Sequence, residues 1–450
     1  MFKRLLIANR GEIARRINAV AHRMGIETVA VYSEADQELP FVKEADQAVL
    51  IGPPPAKDSY LNVGALLEAA KKTKAEAIHP GYGFVSENGA FARACTEAGI
   101  VFVGPPPEAM ERMKDKSEAR RIVSSHGVPI IPGSHSVLPD AAAALAEAER
   151  IGYPVLCKAA GGGGGIGMAV ANTPAELEKA FRQCSDRAKA AFGREGVYIE
   201  RFFPAPRHIE VQVLGDHHGR TLHVLERECS IQRRHQKVVE EAPAPLFANG
   251  AHAHKREQLF EAAVSAAKAF GYANAGTVEF LWSGDDFYFI EMNARLQVEH
   301  PVTEETTGIP LIEWQLRIAA GEKLTLEQPD IRRTGAALEF RIYAEDPVRF
   351  LPSPGTITRY RPPEGDGVRL DDGYAEGAKV TPYYDPMIAK LIVSGTDREQ
   401  AIERSIAALE RFEIEGIKHN IPLHLRILRD PAFREGRIDT KFLEHHAKPT

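Results

Sequence analysis

Within its first hundred residues the chain alternates short apolar runs with amphipathic stretches, and this rhythm limits the possible folds more than any other feature. Arg4–Ala8, Thr28–Tyr32, Ala75–His79 and Val101–Val103 read as strands. Between them Glu12–Met24 predicts a helix with Ile13, Ile17 and Val20 on one face, and Ala65–Lys72 predicts another. Strands separated by helices imply a parallel sheet with right-handed crossovers. Ligands of such sheets bind beyond the carboxyl ends of the strands. Two loops fall there, Asn9-Arg10-Gly11-Glu12 and His79-Pro80-Gly81-Tyr82-Gly83-Phe84.

Further along, the rhythm changes twice. Gly104–Pro107 and a charged helix over Ala109–Ser124 read as a connector. Val128–Pro132 then opens a small unit with an Ala- and Glu-rich helix (Asp140–Arg150), a strand (Val155–Lys158), five glycines and a strand (Val197–Glu200). Its size and glycine content predict a mobile lid. From about residue 204 long strands take over: Ile209–Gly215 and Thr221–Arg227 around one turn, Thr277–Trp282 and Phe287–Asn293 around Ser283-Gly284-Asp285-Asp286. Helices are expected at about 254–270 and 309–320, and a last one at about 397–411 carries Ile402, Ile406 and Leu409 at core spacing. The expected class is α/β: a Rossmann-like parallel-sheet domain (1–112), a helical connector (113–130), a lid (131–203) and a C-terminal α+β part with an antiparallel sheet (204–450).

Composition excludes several functions. At roughly 150 residues per domain, 450 residues suggest about three domains. A chain this long, 44% hydrophobic, buries a sizeable core without disulfides or structural metal. Lys and Arg number 56 against 62 for Asp and Glu, a formal charge of −6, which argues against coating nucleic acid or an anionic membrane. No apolar run approaches the roughly 20 residues of a membrane span. Cys95, Cys157, Cys184 and Cys229 are scattered and form no CxxC pair, as suits a reducing compartment. The start, MFKRLLIANRGEIARRI, has too short an apolar stretch for a signal peptide. The expected location is cytoplasmic.

Four features carry chemistry. Lys158 leads into Gly161–Gly165, a run without Cβ atoms whose N–H groups can close around phosphate oxygens; a flexible linker is the bland alternative. The hairpin carries Glu279, Glu291 and Asn293. If a bulge at Gly284 sets Glu279 opposite Glu291, two carboxylates lie about 5 Å apart, which is unfavourable unless a cation joins them. Mg²⁺ suits one or two carboxylates plus substrate phosphates. In that register Val278, Phe280, Trp282, Tyr288, Ile290 and Met292 share an apolar face; the alternative is a solvated hairpin with incidental glutamates. Arg295-Leu-Gln297-Val298-Glu299 follows. Its Arg fits a planar oxyanion such as bicarbonate, and Glu299 could act as a base if burial raised its pKa; an Arg295–Glu299 loop salt bridge is the alternative. Last, Arg227, Arg233, Arg234 and Lys237 place four cations within eleven residues, fit for a polyanionic substrate such as ATP or merely a solvated basic edge.

Together the strings LLIANRGEIA, HPGYGFVSEN, KAAGGGGG, CSIQRRHQKVVEEAPAP, FIEMNARLQVEHPVTE and LPSPG closely resemble biotin carboxylase, of the ATP-grasp fold, from about residue 2 to about 445. The resemblance implies an ATP- and bicarbonate-dependent ligase that carboxylates biotin on a carrier through carboxyphosphate. By resemblance, Lys116, Lys158, Gly164, Gly165 and His208 hold phosphates and ribose, Glu200, Arg201, Phe202 and Phe203 form the adenine hinge, and Gln232 and His235 contact nucleotide. Glu279, Glu291 and Asn293 bind Mg²⁺ or Mn²⁺, the two glutamates also serving the nucleotide. Lys237, Arg295, Val298 and Glu299 hold bicarbonate, with Glu299 as the base; Tyr82, Gln297 and Arg341 line the biotin pocket, and Arg341 stabilises the developing enolate-like oxygen.

Family members usually carry Arg or Lys after the five glycines, where this chain has Ile166, which removes a phosphate contact from the lid. The chain has no Met-Lys-Met, so the biotin carrier is expected as a separate protein or domain. Carboxyltransferase subunits and a homodimer are the other expected partners, and acetyl-CoA (hence fatty acid biosynthesis) or another acyl-CoA the expected acceptor. Two rivals remain: another ATP-grasp ligase joining a carboxylate to an amine, and a nucleotide-binding subunit without catalysis.

Overall fold

The computed structural model describes residues 1–134, 136–159, 167–192, 197–234 and 236–446. The chain divides into two compact units, Met1–Val128 with Arg207–Phe287 and Glu291–Thr450, and Pro129–Pro206 with Tyr288–Ile290.

In the larger unit a parallel sheet runs in the order Gln47–Gly52, Glu27–Ser33, Arg4–Ile7, Ala77–His79, Val101–Phe102. Leu5 pairs with Thr28 on one side and Ala77 on the other. The chain therefore builds outward from Arg4–Ile7 in one direction and then restarts on its other flank. The crevice at such a reversal is where ligands bind, and the loops after Ile7 and His79 both open there. They are stitched together: Ala8 N–H donates to His79 O at 2.9 Å, and Asn9 Nδ2 donates to Pro80 O and Tyr82 O, each at 2.7 Å. Gly81, at φ +62°, allows this, because a Cβ there would stand 2.8 Å from Asn9 Nδ2. The helix Gly11–Arg23 begins directly behind and buries Ile13, Ala14, Ile17, Val20 and Ala21 at the spacing of one helical face.

The second sheet has eight strands, in the order Asp286–Asn293, Asn274–Ser283, Arg207–Gly215, Thr221–Arg233, Gln236–Ala242, Ala336–Tyr343, Met387–Gly395, Val368–Asp372. Gly373 ends the last strand against the first turn of Gly11–Arg23; a Cβ there would meet Glu12 N at 2.6 Å.

The smaller unit is a three-stranded antiparallel sheet, Met168–Ala171, Val155–Ala159 and Val197–Arg201, under the helices Ala141–Ile151 and Pro174–Phe192. Ala144, Ala148, Leu177, Phe181 and Cys184 pack on Val155, Cys157, Val197 and Ile199.

Several sequence expectations need correction. The charged helix over 109–124 is two helices, Pro107–Lys114 and Lys116–Ser125, because Asp115 leaves the helical conformation and its side chain caps the second by accepting from Ser117 N and Glu118 N. The strand from Thr221 runs on to Arg233, bent by register shifts after His223 and Glu228, with Leu225 at φ +64°. The helix Arg398–Arg411 is not the last: Ile421–Arg429, Pro431–Arg434 and Phe442–His445 follow. Gln47–Gly52, Gly89–Glu97 and Pro174–Phe192 went unread, the helix over 174–192 because its charges mask its apolar stripe. On the hairpin, Tyr288 and Ile290, expected on the apolar face, are half-buried. Phe287, not expected there, packs on Phe280 at 5.5 Å and Trp282 at 6.0 Å.

Candidate active site

Lys237, on the strand Gln236–Ala242, points into the interior, and its ammonium meets three carboxylates: Glu210 Oε2 at 2.6 Å, Glu279 Oε1 at 3.0 Å and Glu299 Oε1 at 2.5 Å. Three strands of the eight-stranded sheet and the segment after the hairpin thus converge on one cation. Burial alone would lower the Lys237 pKa, but its carboxylates hold it well above the ordinary lysine value. Burial would raise Glu279 and Glu299. Instead Lys237 and His208 keep Glu279 well below the carboxylate range, and Lys237, Arg341 and Arg227 do the same for Glu299. The condition that burial raise the Glu299 pKa is not met here, because the neighbouring cations lower it and favour the ionised carboxylate.

Arg227 is the floor of the cluster. Fully buried, it spends its guanidinium N–H groups on Glu210, Gln212 and Thr303 (2.8 and 3.0 Å), Thr277 (3.1 Å) and Gln297 (2.9 Å). Gln297 also donates to Glu279 Oε1 at 2.7 Å. Asn293 Nδ2 donates to that same oxygen at 2.9 Å, and its Oδ1 accepts from Arg295 at 3.0 Å. His208 lies 3.2 Å from Glu279 Oε2 and is fixed by Gln232 at 3.0 Å. His208, Glu210 and Glu279 bring ligand atoms within 4.8 Å of one another.

The like-charge problem foreseen on the hairpin is met by two lysines. Glu279 has Lys237, while the half-exposed Glu291 has Lys116 at 3.0 Å. Glu279, Glu291 and Asn293 are all oxygen donors, which suits a hard divalent cation. Glu291 is held by a long exposed ammonium that can withdraw when a cation arrives.

Arg341 connects the cluster to a cavity. Its guanidinium donates to Glu240 Oε1 at 2.7 Å and Glu299 Oε2 at 3.1 Å. It also lines a cavity of about 450 Å³ at the switch-point crevice, with Asn9, Glu12, Tyr82, Val298 and Tyr343. Glu240, buried beside Arg341, is pushed up to about 7. Gln297 is absent from this wall, being turned into the Arg227 network; Val298 takes its place there. The Val298 carbonyl accepts from Lys390 Nζ at 3.0 Å, and that fully buried ammonium stands 3.2 Å from Glu12 Oε2 and 6.0 Å from the centre of the Tyr82 ring.

Arg295, about a fifth exposed, lies 3.5 Å from Glu87 Oε2, whose other oxygen accepts from Ala294 N at 3.2 Å. The suggested Arg295–Glu299 bridge is not formed, since Glu299 is taken by Lys237 and Arg341.

Within the smaller unit Lys158 pairs with Glu200 across neighbouring strands. Arg201 donates to Ile151 O at 3.3 Å, Phe202 N–H to Pro154 O at 2.9 Å, and Phe203 stacks on Tyr288 at 5.1 Å. Gly164, Gly165, Ile166 and His235 lie outside the described residues.

Glu210, Glu240, Lys390 and Glu87 were not singled out from sequence. Lys390 had a signal: a lone cation inside MIAKLIV, where a buried strand should be apolar.

Residues 1–110 match the family model "Biotin carboxylase, N-terminal domain", 115–327 "Carbamoyl-phosphate synthase L chain, ATP binding domain" and 339–445 "Biotin carboxylase C-terminal domain". The chain is 54% identical to a biotin carboxylase of Halalkalibacterium halodurans, over 100% of this chain and 98% of that one. It is 52% identical to biotin carboxylase 2 of Bacillus subtilis, over 99% and 100%. Among solved structures, a Campylobacter jejuni biotin carboxylase in complex with a β,γ-ATP compound aligns with a TM-score of 0.91 at 47% identity, covering 99% of each chain. The biotin carboxylase domain dimer of Hydrogenobacter thermophilus 2-oxoglutarate carboxylase, solved with MgADP, ADP and bicarbonate, aligns at 0.89 and 47%, covering 99% and 98%.

Proposed function

The chain belongs to the biotin carboxylase family, and from that premise we propose how its residues divide the reaction. It is an ATP-grasp ligase that uses ATP, Mg²⁺ and bicarbonate to carboxylate biotin on a carrier. Lys237, Arg295 and Val298 receive bicarbonate. As the anion takes Lys237 for its counter-ion, that charge is withdrawn from Glu299, and burial then works to raise its basicity. Glu299 accepts the proton, an oxygen of the anion attacks the γ-phosphorus, ADP leaves and carboxyphosphate forms. This breaks to CO₂ and phosphate. Phosphate takes the ureido N–H proton, the nitrogen attacks CO₂, and Arg341 balances charge on the ureido oxygen.

Lys116, Lys158, Glu200, Arg201, Phe202, Phe203, His208 and Gln232 serve the nucleotide. Glu279, Glu291 and Asn293 would hold the Mg²⁺, which when bound supplies positive charge against the phosphates. The observation that supports this division best is Arg341, which donates to Glu299 and also lines the cavity. In this reading the bicarbonate base and the biotin pocket are neighbours.

A biotin carrier protein or domain and carboxyltransferase subunits are the partners, with acetyl-CoA or another acyl-CoA as acceptor. The dimer described for the Hydrogenobacter domain supports a homodimer. Four buried, unpaired cysteines support a reducing, cytoplasmic location; among the described residues no helix is long and apolar enough to cross a membrane. The test is phosphate release from ATP. It should depend on bicarbonate and rise with free biotin, whereas bicarbonate dependence without a biotin effect would favour an amine-joining ligase. Release at background under both conditions would point to a non-catalytic subunit.

A further inference from the structure

The segment Ala344–Ser353 leaves the wall of the Arg341 cavity and returns to it. Its base is closed by Ser353 N–H to Ala344 O at 2.8 Å and Asp346 N–H to Leu351 O at 2.9 Å, and is tied sideways by Ala344 N–H to Pro386 O at 2.8 Å. Tyr343 on one side of that base, and Asp385 and Met387 on the other, line the cavity.

The tip is pinned as well. Asp346 Oδ1 accepts from Val348 N at 2.9 Å and Arg349 N at 2.8 Å, and Lys418 holds its other oxygen at 2.6 Å. Arg233 grips both oxygens of Glu345 at 2.8 and 2.9 Å and lies 4.4 Å over the Phe350 ring. Phe350 sits at φ +59°, a left-handed conformation unfavourable for a bulky side chain. Strain of this kind persists where surrounding contacts over-determine it, and it clusters at functional sites. Here it turns Phe350 under Arg233 and leaves its neighbours outward. Val348 is 48% exposed and Leu351 59%, while Tyr383, on the cavity wall three residues before Pro386, is 52% exposed. Single exposed apolar side chains are ordinary, but Val348 and Leu351 stand on a loop pinned at its base and tip, and Tyr383 stands on the wall of the cavity from which that loop departs.

We infer that Val348, Leu351 and Tyr383 form the docking surface for the biotin-bearing domain. This rests on the function proposed above and names where its partner sits. The group that enters the cavity is tethered to a protein, so that protein's body must come to rest where the cavity opens. The apolar residues are continuous with the wall through Tyr343–Ala344 on one side and Tyr383–Met387 on the other. A pre-ordered surface lowers the entropy lost on association. Exposed Arg349 beside the two aliphatic residues suits a partner face that is apolar at its centre and acidic at its rim.

The experiment compares two substrates of the full-length chain, free biotin and an isolated biotinylated carrier domain, in the Val348→Asp/Leu351→Asp variant. Neither residue belongs to the catalytic machinery and both are exposed, so folding should be kept. The expected result is a fall of about tenfold or more in kcat/KM for the carrier, unchanged turnover of free biotin and unchanged sedimentation. A Val348→Ser/Leu351→Ser variant should move in the same direction by less. Unchanged carrier kinetics would overturn the inference. So would an equal loss on both substrates, which would make the loop part of the cavity, or a shift in sedimentation, which would make a second copy the occupant. If the unaltered chain carboxylates neither substrate, the proposed function itself fails.

Discussion

Two buried lysines of the eight-stranded sheet grip the segment Arg295–Glu299, and they do so differently. Lys237 holds the Glu299 carboxylate and shares its charge with Glu210 and Glu279. Lys390 holds the Val298 carbonyl, with Glu12 at 3.2 Å and Asp371 at 3.8 Å. Around Lys237, Glu279 and Glu299 are held down and stay ionised. Around Lys390 burial wins at two carboxyls: Glu12 is pushed up to about 7 despite the nearby ammonium, and Glu339, with both oxygens buried and without hydrogen bonds, is raised well above the carboxylate range, while Asp371, held also by Arg369, is lowered and stays ionised. One site is a cluster of ionised groups, which the proposed function has a substrate anion enter. The other is a brace in which two of the carboxyls are pushed toward the neutral form and the ammonium fixes a backbone carbonyl.

The sharpest way to break this contrast is Lys237→Met. It removes the counter-ion of three carboxylates, so bicarbonate-dependent phosphate release should fall by about 10²–10³ and unfolding stability by about 3–5 kcal/mol. Turnover within a few-fold of wild type would refute the exchange role. Lys390→Met should cost less, about 1–3 kcal/mol in denaturant unfolding, because Glu12 and Glu339 can be protonated rather than left charged. Its turnover should drop about tenfold through a displaced Val298; a larger kinetic loss than for Lys237→Met would reverse the assignment.

Glu12→Gln sharpens the contrast through pH. The Glu12 carboxyl stands near 7 in the folded chain against 4.5 unfolded, so it binds its proton more tightly when folded. Its contribution to stability is full below pH 4.5 and is lost as pH rises to about 7 and beyond. Relative to wild type, the Tm of Glu12→Gln should therefore fall less between pH 5 and 7.5, and parallel curves would contradict the raised value. The smallest effect belongs to the exposed edge. Glu291→Gln should raise the Mg²⁺ needed for half-maximal turnover by about tenfold, on the order of 1.4 kcal/mol, with little change in Tm, since its pair with Lys116 is exposed. A normal metal titration would remove Glu291 from the metal site.

What could be read from sequence follows from the range of the interactions involved. The parallel sheet and its two ligand loops were legible because strand and helix periodicities are local, and the loops after Ile7 and His79 do meet at the switch point. The hairpin glutamates were legible as a pair, but their neutralisation was not. Lys237 and Lys116 reach them from 42 and 175 residues away, a distance no periodicity encodes. The direction of the Glu299 pKa was out of reach for the same reason: burial can be guessed from one segment, whereas the compensating charges come from Arg227, Lys237 and Arg341 on three other strands. The helix break at Asp115 was missed although its capping side chain lay in plain view, because the charged pattern runs through it unbroken.

The Arg227 network constrains descent as well as catalysis. Five directed donors of one buried side chain meet five different residues on four separate segments. A lysine offers a single point charge with no such fork, and any smaller residue leaves buried acceptors unmatched. Glu210, Gln212, Thr277, Gln297 and Thr303 are consequently constrained by a residue that need not touch substrate. Among relatives these six positions should drift only as a group, so substitutions tolerated at one of them in a distant sequence should prove damaging when transplanted here alone.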